Sequence, residues 1–257
     1  MANHELMKLT AHQVKEGHYD KAILAVGSCE AHGQHIAEGC DTLVSYELSK
    51  KIADNVDGLL MLPPVTVGYS GHYDTFPFTL TLSYDTVTQV IYDIMESVLR
   101  NGINKIFVFN GHDGNIAPIE IASRKIKEKY PDARIASLPE WWVIAGKLLP
   151  EGTFEVWNGV GHAGEGETSI AYHLFGEYCE PELATCVIPD HLIDGIDIKW
   201  DFSEITNTAQ TGDATKGTAE KGEKMTNVLV DFAAKAIREL DSRDWNYGST
   251  QHKTALK

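Results

Sequence analysis

Positive charge is scarce in this sequence beside negative charge. Its 257 residues carry 22 Lys+Arg against 37 Asp+Glu, a formal net charge of −15. Proteins that bind nucleic acid draw most of their affinity from neutralising phosphates, and so carry a basic patch or stripe. The densest basic stretch here, Arg124 to Lys129, is interleaved with Ile and Glu and reads as a solvated helix face. Nucleic acid is therefore not expected as a partner, nor, on the same ground, is an anionic lipid surface. Long apolar runs are missing too: none approaches the ~18 consecutive residues of a membrane span. Met1 to Asp20 is polar and lacks the apolar core of a signal peptide. Cysteine is sparse, and Cys29, Cys40, Cys179 and Cys186 form no C-x-x-C pair, which argues against a zinc knuckle or redox motif. A cytoplasmic protein with reduced thiols is expected.

What is present is the composition of a packed globule, 43% hydrophobic and 23% charged. Short apolar runs alternate with helical patterns. Lys21 to Gly27, Leu59 to Val65, Lys105 to Asn110 and Arg134 to Leu138 read as strands. Thr42 to Val56 and Ile116 to Lys129 read as helices, and Val87 to Leu99 is the cleanest amphipathic helix, stopped by Asn101-Gly102. Met225 to Leu240 marks a long terminal helix. This order predicts an α/β fold with a mostly parallel sheet, covered on both faces because its strands are continuously apolar. With no linker and no internal repeat, residues 1–246 are expected to form one domain. Pro189 to Gly222 reads as loop-rich, and 247–257 as a polar tail compatible with disorder.

In open α/β sheets ligands sit beyond the carboxyl ends of the strands. Two such positions are dense in metal-type ligands. After the first strand come Glu30, His32 and His35, where i and i+2 spacing lets Glu30 and His32 face one point. Asp41 opens the next helix, where it either complements the helix dipole or folds back to join them. After the third strand comes Asn110-Gly-His-Asp-Gly-Asn115, with His112 at a tip that reads equally well as functional or structural. A third cluster, Gly159 to Ser169, carries His162, Glu165 and Glu167 on a glycine-rich turn into a helix. Its formal G-x-G-x-x-G match follows no apolar strand, so a dinucleotide site is rejected. Gly68 to His72 lacks the second glycine of a nucleophile elbow, and Gly212 to Thr218 lacks the lysine of a phosphate loop.

Together the three clusters resemble the creatininase (creatinine amidohydrolase) family, on Val26 to Thr42, Phe109 to Asn115 and His162 to Ser169, with a looser match at His72-Tyr-Asp-Thr-Phe-Pro77. The resemblance implies a three-layer αβα fold, a site for two divalent metal ions and a homo-oligomer, often a hexamer. It implies Glu30 and His112 on one metal, His32 on the other and Asp41 bridging both. Creatininase proper takes a further carboxylate from the position that is Gly114 here, so the missing ligand is expected from the third cluster, Glu167 first and Glu165 second. Glu165 is otherwise expected to bind substrate or move a proton, and His162 to be the active-site histidine. Substrate contacts are implied for His72, Asp113 and Trp157. Asp113 replaces an aromatic of true creatininases, which points away from creatinine itself.

The expected activity is attack of a metal-activated water on a cyclic amide or formamide C–N bond, with zinc foremost and manganese or iron also suited to these ligands. An alternative is hydrolytic C–C ring opening of a cyclic sugar-derived ketone of the inosose type. A non-catalytic, metal-stabilised oligomer is the third reading. Structural sites, however, are closed and sulfur-rich, whereas this one is acidic and glycine-rimmed.

Overall fold

The computed structural model describes residues 4–190 and 198–246, so the expected tail 247–257 lies outside the described residues. Its centre is a parallel sheet of β1 (Lys21–Val26), β2 (Leu59–Met61), β3 (Lys105–Asn110) and β4 (Arg134–Leu138), in the order β2-β1-β3-β4. β1 is buried along its whole length, as a central strand covered on both faces must be.

Alternate residues of these strands feed two cores. Ile23, Phe107 and Phe109 pack against α2 (Cys40–Ala53), α5 (Trp141–Leu148), α6 (Glu165–Phe175) and α7 (Ala219–Ser242), meeting Val44, Leu48, Trp141, Ile170 and Leu229. Leu24, Val26, Ile106 and Val108 pack on the opposite face against α3 (Tyr84–Arg100) and α4 (Ile116–Lys129). The result is the expected three-layer αβα arrangement. α3 illustrates its construction. Ser83 caps the helix by accepting from the Thr86 N–H, and Val87, Ile91, Met95 and Val98 line its buried face. Each such side chain contributes roughly 1.5–3 kcal/mol by leaving water. A short helix α1 (Ala11–Glu16) precedes β1, and β5 (Cys186–Val187) pairs antiparallel with β6 (Gly212–Asp213).

Several element boundaries differ from expectation, and two of them have a direct local consequence. The second strand stops at Met61, because Pro63 and Pro64 cannot donate to a ladder; Val65 returns only as a single bridge to Val26. The helix expected from Thr42 begins at Cys40, which places Asp41 in its first turn.

The strand order has a functional consequence. The chain leaves β1 toward β2 on one side and leaves β3 toward β4 on the other. A crevice therefore opens between the carboxyl ends of β1 and β3, the topological switch point where α/β sheets bind ligands. Among the described residues no helix is long and apolar enough to cross a membrane.

Candidate metal centre

The loop after β1 brings Glu30 and His32 to this crevice, the short turn after β3 brings His112, the first turn of α2 brings Asp41, and the start of α6 brings Glu167. Glu30, His32, Asp41 and His112 are at most 4% exposed, and Glu167 is 9% exposed. Asp41 stands at the middle. Its Oδ1 lies 3.0 Å from His32 Nε2 and its Oδ2 lies 3.1 Å from His112 Nδ1. Glu30 Oε1 is 3.2 Å from the same His112 nitrogen and 3.8 Å from His162 Nδ1. Glu167 Oε2 is 3.8 Å from His32 Nε2.

The outer nitrogen of each ring is fixed by a backbone carbonyl. His32 Nδ1 lies 3.0 Å from the Glu30 oxygen, His112 Nε2 2.7 Å from the Tyr69 oxygen, and His162 Nε2 2.7 Å from the Ala31 oxygen. Carbonyls only accept, so each of these nitrogens carries the N–H. A neutral ring held this way turns its lone pair inward, toward carboxylate lone pairs. Both Glu30 oxygens, Asp41 Oδ2 and His32 Nε2 are correspondingly buried without a hydrogen-bond partner. Acceptors facing acceptors at about 3 Å are stable only around a cation, and buried polar groups are otherwise paired. The ligand chemistry fits divalent metals, and the fixed outer nitrogens are how metal-binding histidines are oriented. Glu30, Asp41 and His112 form one group able to hold an ion, and His32 with Asp41 belongs to a second.

Without a metal, protons take that place. Burial opposes charge on His32 and His112, yet the neighbouring Cys40, Asp41 and Glu30 outweigh it and hold both imidazoles well above their ordinary range. Burial likewise opposes ionisation of Asp41 and Glu30, but the histidines reverse this and hold both carboxyls low. Glu167 goes the other way: burial, with Asp41 and Glu30 nearby, pushes it up to about 7. His162 is pushed down to about 3, by burial first and His32 second, and is therefore neutral.

Gly114 has no room for a side chain. A Cβ at this position would stand 2.1 Å from the Tyr69 carbonyl oxygen and 2.6 Å from His112 Nε2. The carbonyl that orients His112 occupies the space a side chain would use. Glu167 instead approaches from α6, its Oε2 also accepting the Ala163 N–H at 2.7 Å. The turn before it is tight: Gly161 has φ +138° and a Cβ there would meet the Thr211 carbonyl at 2.7 Å, while Ala163 adopts φ 49°.

The other expected residues divide. His162 and Glu167 line a cavity of about 940 Å³, as do Asp113 and Trp157, which are exposed at its rim. His72 is not among the lining residues; its ring lies 4.3 Å from that of Tyr73 and 6.0 Å from that of His112. Glu165 is turned away from the cluster. One of its oxygens accepts from Lys221 Nζ, the other from the Glu155 and Val156 N–H groups at 2.8 and 3.1 Å. His35 is buried against Thr168, Nε2 to Oγ1 2.8 Å. Sequence reasoning missed Tyr73 and Phe202. Tyr73 packs 4.4 Å from the His162 ring and 4.5 Å from Phe202, and both line the cavity. Tyr73 lay within the loose His72 to Pro77 match and was passed over. Phe202 stands in a weakly patterned segment, and no local signal marks it.

Carboxylates and imidazoles around a shared Asp, at the switch point of a parallel αβα sheet, define an α/β metal-dependent hydrolase. The creatininase model, described as creatinine amidohydrolase, matches residues 7–237, and the chain belongs to that family. It is 28% identical to the creatinine amidohydrolase of Pseudomonas putida, over 84% of this chain and 88% of that protein. It is 24% identical to the mycofactocin precursor peptide peptidase of Mycobacterium ulcerans (84% and 83%), and 25% identical to the 3-dehydro-scyllo-inosose hydrolase of Thermotoga maritima (91% and 83%). Among solved structures, a Zn-Zn type creatininase mutant superposes with TM-score 0.78 and a manganese creatininase with 0.77. Both are 26% identical; the first match covers 93% of this chain and 98% of that one, the second 92% and 98%.

Proposed function

We propose that the chain hydrolyses an amide-type C–N bond at a site for two divalent ions, one held by Glu30, Asp41 and His112, the other by His32, Asp41 and Glu167. The observation that carries this reading is Asp41, each oxygen of which faces a different imidazole. Bound there, divalent ions supply a water acidic enough to attack a carbonyl at neutral pH. Zinc heads the candidates, with manganese or iron also compatible with carboxylate and imidazole donors.

The chain's own residues do the rest. His162, neutral because burial pushes it down to about 3 and with Nδ1 directed at the site, relays the proton lost by the attacking water directly to the leaving nitrogen without resting as an imidazolium. Tyr73, tilted against the His162 ring at 4.4 Å, and Phe202, edge-on to it at 5.2 Å, hold that ring and keep bulk water from it. Glu165, with its oxygens taken by Lys221 and two backbone N–H groups, positions the segment that carries Trp157. Asp113 and Trp157 meet the substrate at the rim, and His72 supports Tyr73 from behind. A cavity of about 940 Å³ is larger than a single small lactam needs, which favours a bulkier amide or formamide.

The second reading, hydrolytic C–C ring opening of a cyclic sugar-derived ketone, is favoured by one observation, the similarity to the inosose hydrolase. A substrate panel on metal-restored protein separates the two: ammonia, amine or formate is released in the first case, and a ring-opened carboxylate without nitrogen in the second. We also propose a cytoplasmic homo-oligomer of hexamer size. Exposed apolar side chains such as Phe78 (87%) support self-association, and light scattering of the purified chain tests it.

A further inference from the structure

We infer that Cys40 is a metal ligand at the His32 position, so that this centre pairs an oxygen- and nitrogen-only site with a site bearing one sulfur. The inference rests on the two-ion reading above. Its starting point is that Cys40 Sγ, His32 Nε2 and an Asp41 carboxylate oxygen lie within 4.8 Å of one another, all three residues buried. Cys40 is 1% exposed and is a free thiol. The second observation is independent of the sulfur. His32 is 0% exposed, its Nδ1 is committed to the Glu30 carbonyl, and its Nε2, 3.0 Å from Asp41 Oδ1, meets no donor in the neutral ring while pointing at the same space.

The local geometry explains how two consecutive residues flank one ring. Asp41 projects from the first turn of α2 and Cys40 is the first residue of that helix. Gly39 before it, at φ −85° and ψ 15°, provides no side-chain cap. Both side chains therefore rise from the helix N-terminus; burial pushes the Cys40 thiol up to about 12 in the metal-free chain, so the thiolate forms only against a bound cation.

The two positions differ in chemistry as a result. Glu30, Asp41 and His112 offer oxygen and nitrogen only, a set open to zinc, manganese or iron. His32, Asp41 and Glu167 with Cys40 add a soft donor, which selects zinc, cobalt or ferrous iron over manganese. On ion binding the thiol gives its proton to solvent and the S–metal bond replaces the S–H bond; no electron moves. A mixed-metal centre, with manganese tolerated only at the first position, follows from this difference.

The test uses the full chain, stripped with chelator and reloaded with Co(II) alone or Zn(II) alone. Wild type should show a near-ultraviolet sulfur-to-cobalt charge-transfer band. Zinc X-ray absorption should show a sulfur shell at about 2.3 Å beside the shorter oxygen and nitrogen distances. Cys40→Ser and Cys40→Ala should lose the band. A chain with Cys29→Ser, Cys179→Ser and Cys186→Ser, which keeps Cys40, should retain it. Zinc-over-manganese preference at the second equivalent should fall in Cys40→Ser by more than the roughly 10–100-fold typical of an outer hydrogen-bond partner. Stoichiometric metal in wild type with no sulfur shell and no band overturns the assignment and leaves the two-ion reading intact, with Cys40 a core filler. Failure of wild type to bind metal at all overturns the two-ion reading itself. The wild-type spectra decide the matter even if a Cys40 variant does not fold.

Discussion

The two ends of β1 and β3 carry similar charges and resolve them in opposite ways. At the amino end, Lys21 is 5% exposed and sits 2.6 Å from Asp20, 2.9 Å from the Asp57 carbonyl and 3.4 Å from Asp241. Lys105 beside it reaches Asp20 at 3.6 Å and Asp244 at 3.5 Å. Asp20, Asp241 and Asp244 each pair with a lysine there. At the carboxyl end of the same strands, Glu30, Asp41 and Glu167 are far more deeply buried than those acids, yet among the described residues no Lys or Arg forms an ion pair with them; their near neighbours are imidazoles whose outer nitrogens are already committed. One end is balanced by the chain's own lysines, and the other gathers carboxylates and imidazoles able to hold a cation. Buried charge by itself does not mark a function. Buried charge that the chain leaves unbalanced does.

Mutations at the two ends should therefore fail differently. The largest effect is expected for Asp41→Ala, which removes both oxygens that face the two imidazoles. Activity should fall by about 10³-fold or more, the upper scale for losing one electrostatic group at a reacting centre, and bound metal should fall with it. Retention of full metal content by this variant would falsify the bridging assignment. Lys21→Ala, at the opposite end, should leave metal content and activity per folded molecule unchanged. It should cost about 1–3 kcal/mol in urea unfolding, between the buried and surface scales because the Asp20 side chain is 54% exposed.

Next in size is His162→Gln. It should lower kcat by roughly 10²–10⁴-fold, the range for a positioned proton-transfer group, while metal analysis stays at the wild-type level. Smaller again is Gly114→Ala. Its Cβ must displace the Tyr69 carbonyl, so His112 loses the acceptor that orients it. Metal affinity, read by chelator competition, should drop roughly 10–100-fold, and an unchanged affinity would show that the carbonyl is dispensable.

The mildest test is pH. In the metal-free fold His32 and His112 have raised pKa values, so their contribution to stability is fully present below the unfolded value of about 6.5. That contribution is lost as pH rises through the raised folded values. Metals compete with those same protons. The melting-temperature gap between loaded and stripped protein should therefore widen from pH 6 to pH 9. A gap that narrowed would mean that the imidazoles are not the ligands.

How far the sequence carried the account can be read from particular elements. β1, β3 and α3 were legible because a buried strand is continuously apolar and a one-sided helix repeats at three- and four-residue steps. α6 carries no such stripe. Its residues Glu165 to Ala171 are all buried, many of them small or polar, because the helix packs closely on α7, where a Cβ on Gly222 would stand 2.0 Å from the Ser169 carbonyl. Only its glycine-rich entry with two glutamates announced it. Glu30, His32, Asp41 and His112 were legible as residues after strands, but that Asp41 stands between the two imidazoles depends on α2 starting at Cys40. The pairing of Glu165 with Lys221, 56 residues away in sequence, is invisible to local pattern. Tyr73 and Phe202 meet only through the fold, and the loss of a side chain at Gly114 could be read without its cause, the Tyr69 carbonyl.

In the proposed function, external cations complete the carboxyl end of β1 and β3. Metal stoichiometry tests it most directly: chelator-stripped chain is reloaded with zinc, dialysed to equilibrium and measured by elemental analysis, beside Asp41→Ala and Lys21→Ala. The account predicts two ions per chain in wild type and Lys21→Ala, and fewer than one in Asp41→Ala. Wild type that retains no metal, or Asp41→Ala that retains as much as wild type, would contradict it.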